Sequence, residues 1–378
     1  MRMPRVFLKG LKDGKAVMEL KDIKPSPMGN VPGSPENFKL NEFKPVSVFN
    51  TPVTRVTRAR FPAIDVHAHA WDLHSDIDDW VKRMDAANIE KTIILSFETG
   101  EKFNAIYQQY AKYKNRFSIW CGFDYTGYDG KPDWTENAIR ELRRCKSMGA
   151  EGVGELGDKG MGEYYSSPVP GIGMHIDDAR MDPLLEECGR LKMPVSIHVA
   201  DPIWMYLPMD VHNDGMMNAY NWRIELKTGM LNHGELLKTL EGALQKHRGT
   251  IFIACHFANC THDLQIIGNM LDQYSNLYAD ISSRLKELAT VPRYSRSFIE
   301  KYQTRLFFGS DVGYDPSRPM KYSTDIYEIS FRLLETADEH IYQHNLFKYH
   351  WPLNGLELSD GVLKKLYNEN ARKILFSS

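Results

Sequence analysis

The sequence predicts an α/β protein: a (β/α)8 barrel, the TIM-barrel architecture, with an N-terminal extended arm and a long insertion after strand 5. Three observations predict it. From residue 61 onward, apolar runs of strand length alternate with amphipathic runs of helix length. The strand-like runs number eight, as that barrel requires. The first turn reads His67-Ala68-His69-Ala70, not the Gly-rich turn that opens a doubly wound sheet.

Residues 1–60 stand apart. Pro25, Pro27, Pro32 and Pro35, with Gly29 and Gly33, interrupt any long element. Val6-Phe7-Leu8 and Val46-Ser47-Val48-Phe49 are apolar enough to add small strands. This segment is expected to be an arm packed on the barrel of residues 61–378, with a disordered tail as the alternative. The strands are expected at Ala63–His69, Lys91–Ser96, Phe117–Phe123, Glu151–Leu156, Pro194–Val199, Thr250–His256, Asn276–Ile281 and Arg305–Asp311. Helices are expected at Ile77–Asn88, Thr135–Met148, Pro183–Leu191 and Glu235–Lys246. Asp182 before Pro183 reads as an N-cap followed by proline at the first helical position. The stretch 201–234 is too long for a simple connection and rich in aromatics, which marks a lid or binding loop.

Composition narrows the class. The 378 residues are 42% hydrophobic and 25% charged, an ordinary globular balance. With 47 Lys and Arg against 49 Asp and Glu, the net charge is −2, without the basic excess of a nucleic-acid binder. Mean hydropathy is −0.44, and no apolar run approaches the roughly 18 residues of a membrane span. The first residues lack the apolar stretch of a secretory signal, and five cysteines make an unpromising disulfide framework. A cytoplasmic protein is expected, unless an upstream segment directs it elsewhere. The expected partner is a small-molecule substrate, not nucleic acid or membrane; a homo-oligomer stays open.

The chemistry gathers at strand ends. In a strand, Asp65, His67 and His69 share one face, expected to point into the barrel, while Ile64, Val66 and Ala68 pack outward. Two imidazoles so spaced can bind one metal ion. The fifth strand ends in His198, the sixth in His256 and the eighth in Asp311. Active sites of such barrels sit at this end. Several buried, unpartnered polar groups would cost roughly several kcal/mol, a cost that a shared ion removes. The fourth strand ends Gly152-Val153-Gly154-Glu155-Leu156-Gly157. Its glycines leave room inside the barrel, where Glu155 would hold a second metal or contact substrate.

The set Asp65-x-His67-x-His69, His198, His256 and Asp311 resembles the amidohydrolase superfamily, in its amidohydrolase-related branch of metal-dependent hydrolases and decarboxylases. Asn276–Ile281, Arg305–Asp311 and the closing Asn370-Ala371-Arg372-Lys373-Ile374-Leu375 are similar to that branch's last strands and terminal helix. The resemblance spans residues 61–378, apart from most of 201–234. It implies that His67, His69, His198 and Asp311 hold a divalent ion; three imidazoles and one carboxylate suit zinc first, and manganese second. It leaves His256 beside the ion as a catalytic group, and Asp311 as general base as well as ligand. Asp65 would orient the histidine ligands. The Gly-Glu155-Leu-Gly run is similar to that of TatD-type nucleases, whose glutamate binds metal, so a binuclear site stays open.

The cations Lys159, Arg223, Arg284 and Arg318 lie near the expected rim and are candidates to pair with a substrate carboxylate. The insertion is expected to cover part of the pocket and to contact substrate through Arg223 or Tyr206. The first functional expectation is a hydrolase of a C–O or C–N bond in a small, acidic molecule, such as a lactone, ester or amide. The alternative is a metal-dependent decarboxylase of a small aromatic or unsaturated acid. A TatD-like nuclease and a catalytically silent barrel rank below them.

Overall fold

A computed structural model describes residues 3–12, 15–23, 37–70, 76–162, 169–313 and 321–377. The chain divides into two units, Met1–Pro45 and Val46–Ser378. The first contains an antiparallel pair, Met3–Lys12 with Lys15–Ile23, and the expected run Val6–Leu8 lies in its first strand. No helix among the described residues is long and apolar enough to cross a membrane.

The second unit holds the eight expected strands: Ala63–His69, Ile89–Leu95, Phe117–Trp120, Val153–Asp158, Val195–Val199, Phe252–Ala254, Leu277–Asp280 and Leu306–Phe307. Neighbours pair in parallel in two runs, the first three strands and the last five. Two contacts join the runs into a ring. Cys121 bridges Val153 in parallel, and Val66 N–H donates to Phe308 O at 3.0 Å. Several strands stop short of expectation because the chain leaves extended backbone there. His256, Phe257, Ala258 and Asn259 all take positive φ, and so does Asp311.

The connecting helices follow local signals. Ile77–Ala87 starts where the Asp76 side chain accepts from Asp79 N–H, and stops at the left-handed Asn88. His233–Lys246 starts at a capping box between Asn232 and Glu235, two residues before the expected start. Asp182 is not the cap of its helix. It is the first residue of Asp182–Arg190, and its carboxylate receives His247 Nε2 at 2.9 Å instead of a helix amide. Val46–Phe49 forms no strand, and Val46, Val48 and Phe49 are exposed. Nearby, Thr54 N–H donates to Asp338 Oδ2 at 2.7 Å and Arg60 N–H to Glu335 Oε1 at 2.9 Å, tying residues 54–60 to the barrel.

Packing corrects one expectation about the first strand. Ile64, Val66, Ile93, Leu95, Trp120, Ile253 and Phe307 form one buried cluster. Side chains from strands spaced around a ring can meet only on its axis, so Ile64 and Val66 point inward. Asp65 therefore points out, to Tyr327 of the helix Lys321–Glu335, whose hydroxyl donates to it at 2.8 Å. The pairing register shifts between Asp65 and Ala68. That irregularity resets the alternation and lets His67 and His69 reach the interior above Val66. Ala371 joins the cluster, and Ile374, Leu375 and Phe376 pack against it, so the C-terminal helix floors the barrel.

Gly152, three residues before Glu155, serves this floor rather than an open space. A Cβ on Gly152 would lie 2.4 Å from the Trp120 ring. The room expected there is filled by tryptophan.

Candidate metal centre

Glu155 lies at the middle of the barrel mouth, fully surrounded. Its Oε1 is 3.0 Å from His198 Nδ1, 3.4 Å from His256 Nε2 and 3.7 Å from His67 Nε2. Its Oε2 is 3.5 Å from His69 Nε2. Asp311 Oδ1 closes the other side, 3.2 Å from His69 Nε2 and 3.6 Å from His67 Nε2. Close approach of the eighth strand to the first depends on Gly309, where a Cβ would come within 2.9 Å of His67 Cβ.

The protons on these imidazoles are set from behind. His69 Nδ1 faces Leu95 O at 3.1 Å, so Nδ1 carries the proton and Nε2 presents a lone pair. His67 Nδ1 faces Asp280 Oδ2 at 3.0 Å, and His256 Nδ1 faces Ser282 O at 2.9 Å. Ser282 Oγ donates to Asp280 Oδ1, leaving its lone pairs for the same two Nδ1–H groups at 3.0 and 2.8 Å. With Nδ1 carrying the proton, the Nε2 atoms of His67, His69 and His256 present lone pairs beside two carboxylates, while His198 Nδ1 faces Glu155 Oε1 at 3.0 Å. His67 Nε2 and His69 Nε2 are only 3.3 Å apart. Acceptors facing one another in a buried site repel unless a cation lies between them.

The spacing suits one. Bonds of about 2.0–2.1 Å from an ion in tetrahedral geometry put neighbouring ligand atoms about 3.3 Å apart. The His67, His69 and Asp311 atoms lie 3.2–3.6 Å apart. Glu155 can complete or extend this set; His67, His69 and Glu155 form one group that could hold an ion, and Glu155, His198 and His256 another.

The field of the site selects positive charge. Burial disfavours the His67 imidazolium, yet Asp280 and the other anionic neighbours outweigh it and raise its pKa well above 6.5. Burial would raise Glu155, but His67 and the bonds from His198 and His256 hold it well below the usual carboxylate range. His256 is lowered, chiefly by burial. His198 Nε2 lies 3.3 Å from Asp201 Oδ1, and despite burial this partner and Glu155 raise its pKa. Asp201 is in turn held at about 2: burial opposes its charge, and His198 and Lys159 overcome that.

A family model described as Amidohydrolase matches residues 64–376. The chain belongs to the amidohydrolase family. Solved structures with the same fold include a dihydroxybenzoic acid decarboxylase from Polaromonas sp. JS666 with bound manganese and 2-nitroresorcinol. It is 16% identical with a TM-score of 0.51, covering 84% of this chain and 97% of that one. A 2,6-dihydroxybenzoate decarboxylase in complex with 2,6-dihydroxybenzoate is 14% identical with a TM-score of 0.51, covering 84% and 100%. The 5-carboxyvanillate decarboxylase of Novosphingobium aromaticivorans, with manganese and 4-hydroxy-3-methoxy-5-nitrobenzoic acid, is 14% identical with a TM-score of 0.51, covering 86% and 100%. No curated protein matches the chain in sequence.

In this amidohydrolase the sequence-predicted groups separate into three sets. His67, His69, Glu155, His198, His256 and Asp311 come together as described. Asp65 stands behind the centre, but it does not orient an imidazole. It accepts from His67 N–H at 3.2 Å, from Ser310 N–H at 3.0 Å and from the Ser310 hydroxyl, so it steadies the backbone that carries Asp311. Imidazole orientation falls to Asp280 and Ser282, which sequence reasoning left without a role. Asp280 obeys the same rule as the others, an acid closing a short apolar strand. Asp201 was also missed, because a loop residue has no periodicity to place it.

A cavity of about 510 Å³ opens above the centre, with His69, Glu155, His198, His256 and Asp311 in its wall. Lys159 and Arg284 line it; Arg223 and Tyr206 do not. Arg223 is turned aside, its Nη1 donating to Tyr220 O at 2.7 Å. The Tyr206 hydroxyl is behind the wall, accepting from Asp201 N–H at 3.2 Å. The insertion reaches the cavity through Asp201, Met205, Asn218 and Trp222 instead. Arg318 lies outside the described residues.

Proposed function

We propose that this amidohydrolase is a metal-dependent decarboxylase of a small aromatic or unsaturated acid. The observation that carries the reading is the pairing of a cation-selecting centre with a cavity of about 510 Å³ whose lining includes the apolar side chains of Leu285, Ile326, Leu346 and Phe347. That size suits a single-ring acid. The solved decarboxylases that share its fold act on compounds of this kind, which supports the alternative from the sequence above its first expectation. His67, His69, His198 and Asp311 would hold one divalent ion, with Glu155 adjoining. When bound, such an ion supplies Lewis acidity, polarising a carboxylate or phenolate oxygen.

The chain's own groups account for the remaining work. The apolar wall strips water from the acid, which weakens its hold on charge. Loss of CO₂ breaks the bond from carbon to carboxylate and leaves an electron pair on that carbon, which must take a proton. Asp311 is ionised and His256 is neutral, so both are acceptors. Either takes a proton from a substrate hydroxyl or from water and then delivers it to carbon. Ser282 O keeps His256 Nδ1 protonated, so the proton travels through Nε2, the atom that faces the cavity side.

Hydrolysis is the second reading. It is favoured by the same placement of Asp311, whose carboxylate lies beside the His67 and His69 lone pairs where it would deprotonate an attacking water. Zinc and manganese both fit these readings. The experiment is a panel of hydroxybenzoates, lactones and amides on protein loaded with each metal. CO₂ release from an aromatic acid supports the decarboxylase; turnover of lactones or amides alone replaces it with the hydrolase.

A further inference from the structure

Asp201 begins the insertion, three residues after His198. Strand alternation would place the two on opposite faces. Ala200 prevents that, because its φ of 60° turns the chain out of extended backbone. A residue other than glycine keeps such a φ only where its surroundings fix it. Here the Asn259 side-chain amide donates to Val199 O and to Ala200 O, both at 3.1 Å. The buried Asp201 carboxylate thereby comes to His198 Nε2 at 3.3 Å. Lys159 Nζ holds the same carboxylate, 3.3 Å from Oδ1 and 3.1 Å from Oδ2. Lys159 in turn stands 5.7 Å from the ring centroid of Trp222, further along the insertion.

His198 is held differently from its neighbours. His67, His69 and His256 have acceptors behind Nδ1, whereas the acceptor behind His198 is at Nε2. An ionised carboxylate only accepts, so Nε2 carries the proton. Nδ1, 3.0 Å from Glu155 Oε1, then presents the lone pair. We propose that Asp201 is a positioning residue of the metal centre: it grips His198 by Nε2–H, with Lys159 fixing the carboxylate, and so keeps Nδ1 turned to the ion. This rests on the proposed reading of His198 as a ligand and holds for either reaction. It puts one control of metal affinity in the insertion, outside the strands that carry the ligands.

The test is Asp201→Asn in the full chain, read by zinc affinity against a competing chelator and by nitrogen-15 NMR of the zinc-loaded imidazoles. An amide offers one acceptor oxygen to two donors, His198 Nε2–H and Lys159, so its own NH₂ must face one of them. Zinc should bind roughly ten- to hundredfold more weakly, the range for losing such a partner. In the unsubstituted protein His198 should carry its proton on Nε2, shifted downfield by the carboxylate. That resonance should move in Asp201→Asn, while the Nδ1–H resonances of His67 and His69 stay. Three results each overturn the proposal: a His198 proton on Nδ1 in the unsubstituted protein, unchanged zinc affinity in the variant, or weaker zinc with an unmoved Nε2–H. The first needs no variant, so a misfolded Asp201→Asn does not shelter it. The third would leave Asp201 acting only as a distant charge. Failure of the metal reading looks different, because the unsubstituted protein would then take up no zinc. CO₂ release decides the reaction separately and leaves the role of Asp201 untouched.

Discussion

The two ends of the barrel interior are built from the same strands and could hardly differ more. At the floor, Ile64, Val66, Ile93, Ile253 and Phe307 pack around Trp120, whose indole N–H donates to the Ser118 hydroxyl at 3.1 Å. At the mouth, a few residues further along the same strands, His67, His69 and His256 converge on Glu155, and Asp311 closes on His67 and His69. The floor satisfies itself by burial and needs nothing from outside. The mouth holds lone pairs against lone pairs and is complete only with a cation. Stability and chemistry are thus divided along each strand, and they should respond to substitution separately.

The largest break should come from His67→Ala. It removes a lone pair from the centre and the partner of Asp280 and Ser282. Bound divalent metal, expected at about one per chain by elemental analysis, should weaken by at least about a hundredfold, the scale for perturbing such a shell, and turnover should vanish with it. A full metal complement in this variant would mean that the ion, if any, binds elsewhere.

His256→Ala against His198→Ala sharpens the division within the mouth. His198→Ala should lose metal, and His256→Ala should keep it while turnover falls by about 10²–10⁴-fold, the range for losing a positioned proton-transfer group. Both imidazoles touch Glu155 Oε1, at 3.0 and 3.4 Å, so distance alone does not separate them. Equal metal loss in both variants would make His256 a ligand.

Trp120→Ala tests the floor. The ring is buried and packed against Gly152, so its loss leaves a cavity costing about 3–5 kcal/mol. Urea unfolding should show that loss, while metal per folded molecule stays unchanged. Metal loss in step with stability would show that the two ends are not independent.

The smallest effect expected is at the edge of the mouth. His175 Nδ1 is 2.7 Å from Asp158 Oδ2, a bond that raises the His175 pKa above 6.5 despite partial burial. A raised histidine pKa stabilises the fold fully below the unfolded value and loses that contribution as pH rises through the folded one. Wild-type protein should therefore exceed His175→Gln by about 1 kcal/mol or less at pH 5.5 and match it at pH 8.5, measured as unfolding midpoints. A gap that grows with pH would reverse the assignment.

The sequence displayed the floor and the mouth unequally. Apolar periodicity located all eight strands, and polar residues at their ends located His198, His256, Asp311 and Glu155, because a strand end is fixed by its strand. Alternation failed inside the first strand, where Ile64 and Val66 face the axis and Asp65 does not. A register shift between Asp65 and Ala68 carries no residue signature of its own. The left-handed run from His256 to Asn259 contains no glycine, so nothing advertised it. Loop geometry was the least legible. Arg223 and Tyr206 were chosen for their chemistry, whereas the path of the insertion brings Asn218 and Trp222 to the cavity.

The floor also has a timetable. Its last pieces, Phe307 and then Ala371 to Phe376, lie far along the chain from Ile64 and Val66, which they cover. During synthesis the first strands leave the ribosome long before anything exists to close beneath them. Until then a belt of isoleucine, leucine and valine stays open to solvent or to a chaperone. The contacts that complete the barrel are among the longest-range in the molecule, the kind that form slowly and leave intermediates prone to association. A nascent chain halted before residue 306 has every histidine of the candidate centre and a floor that still lacks Phe307 and the C-terminal helix.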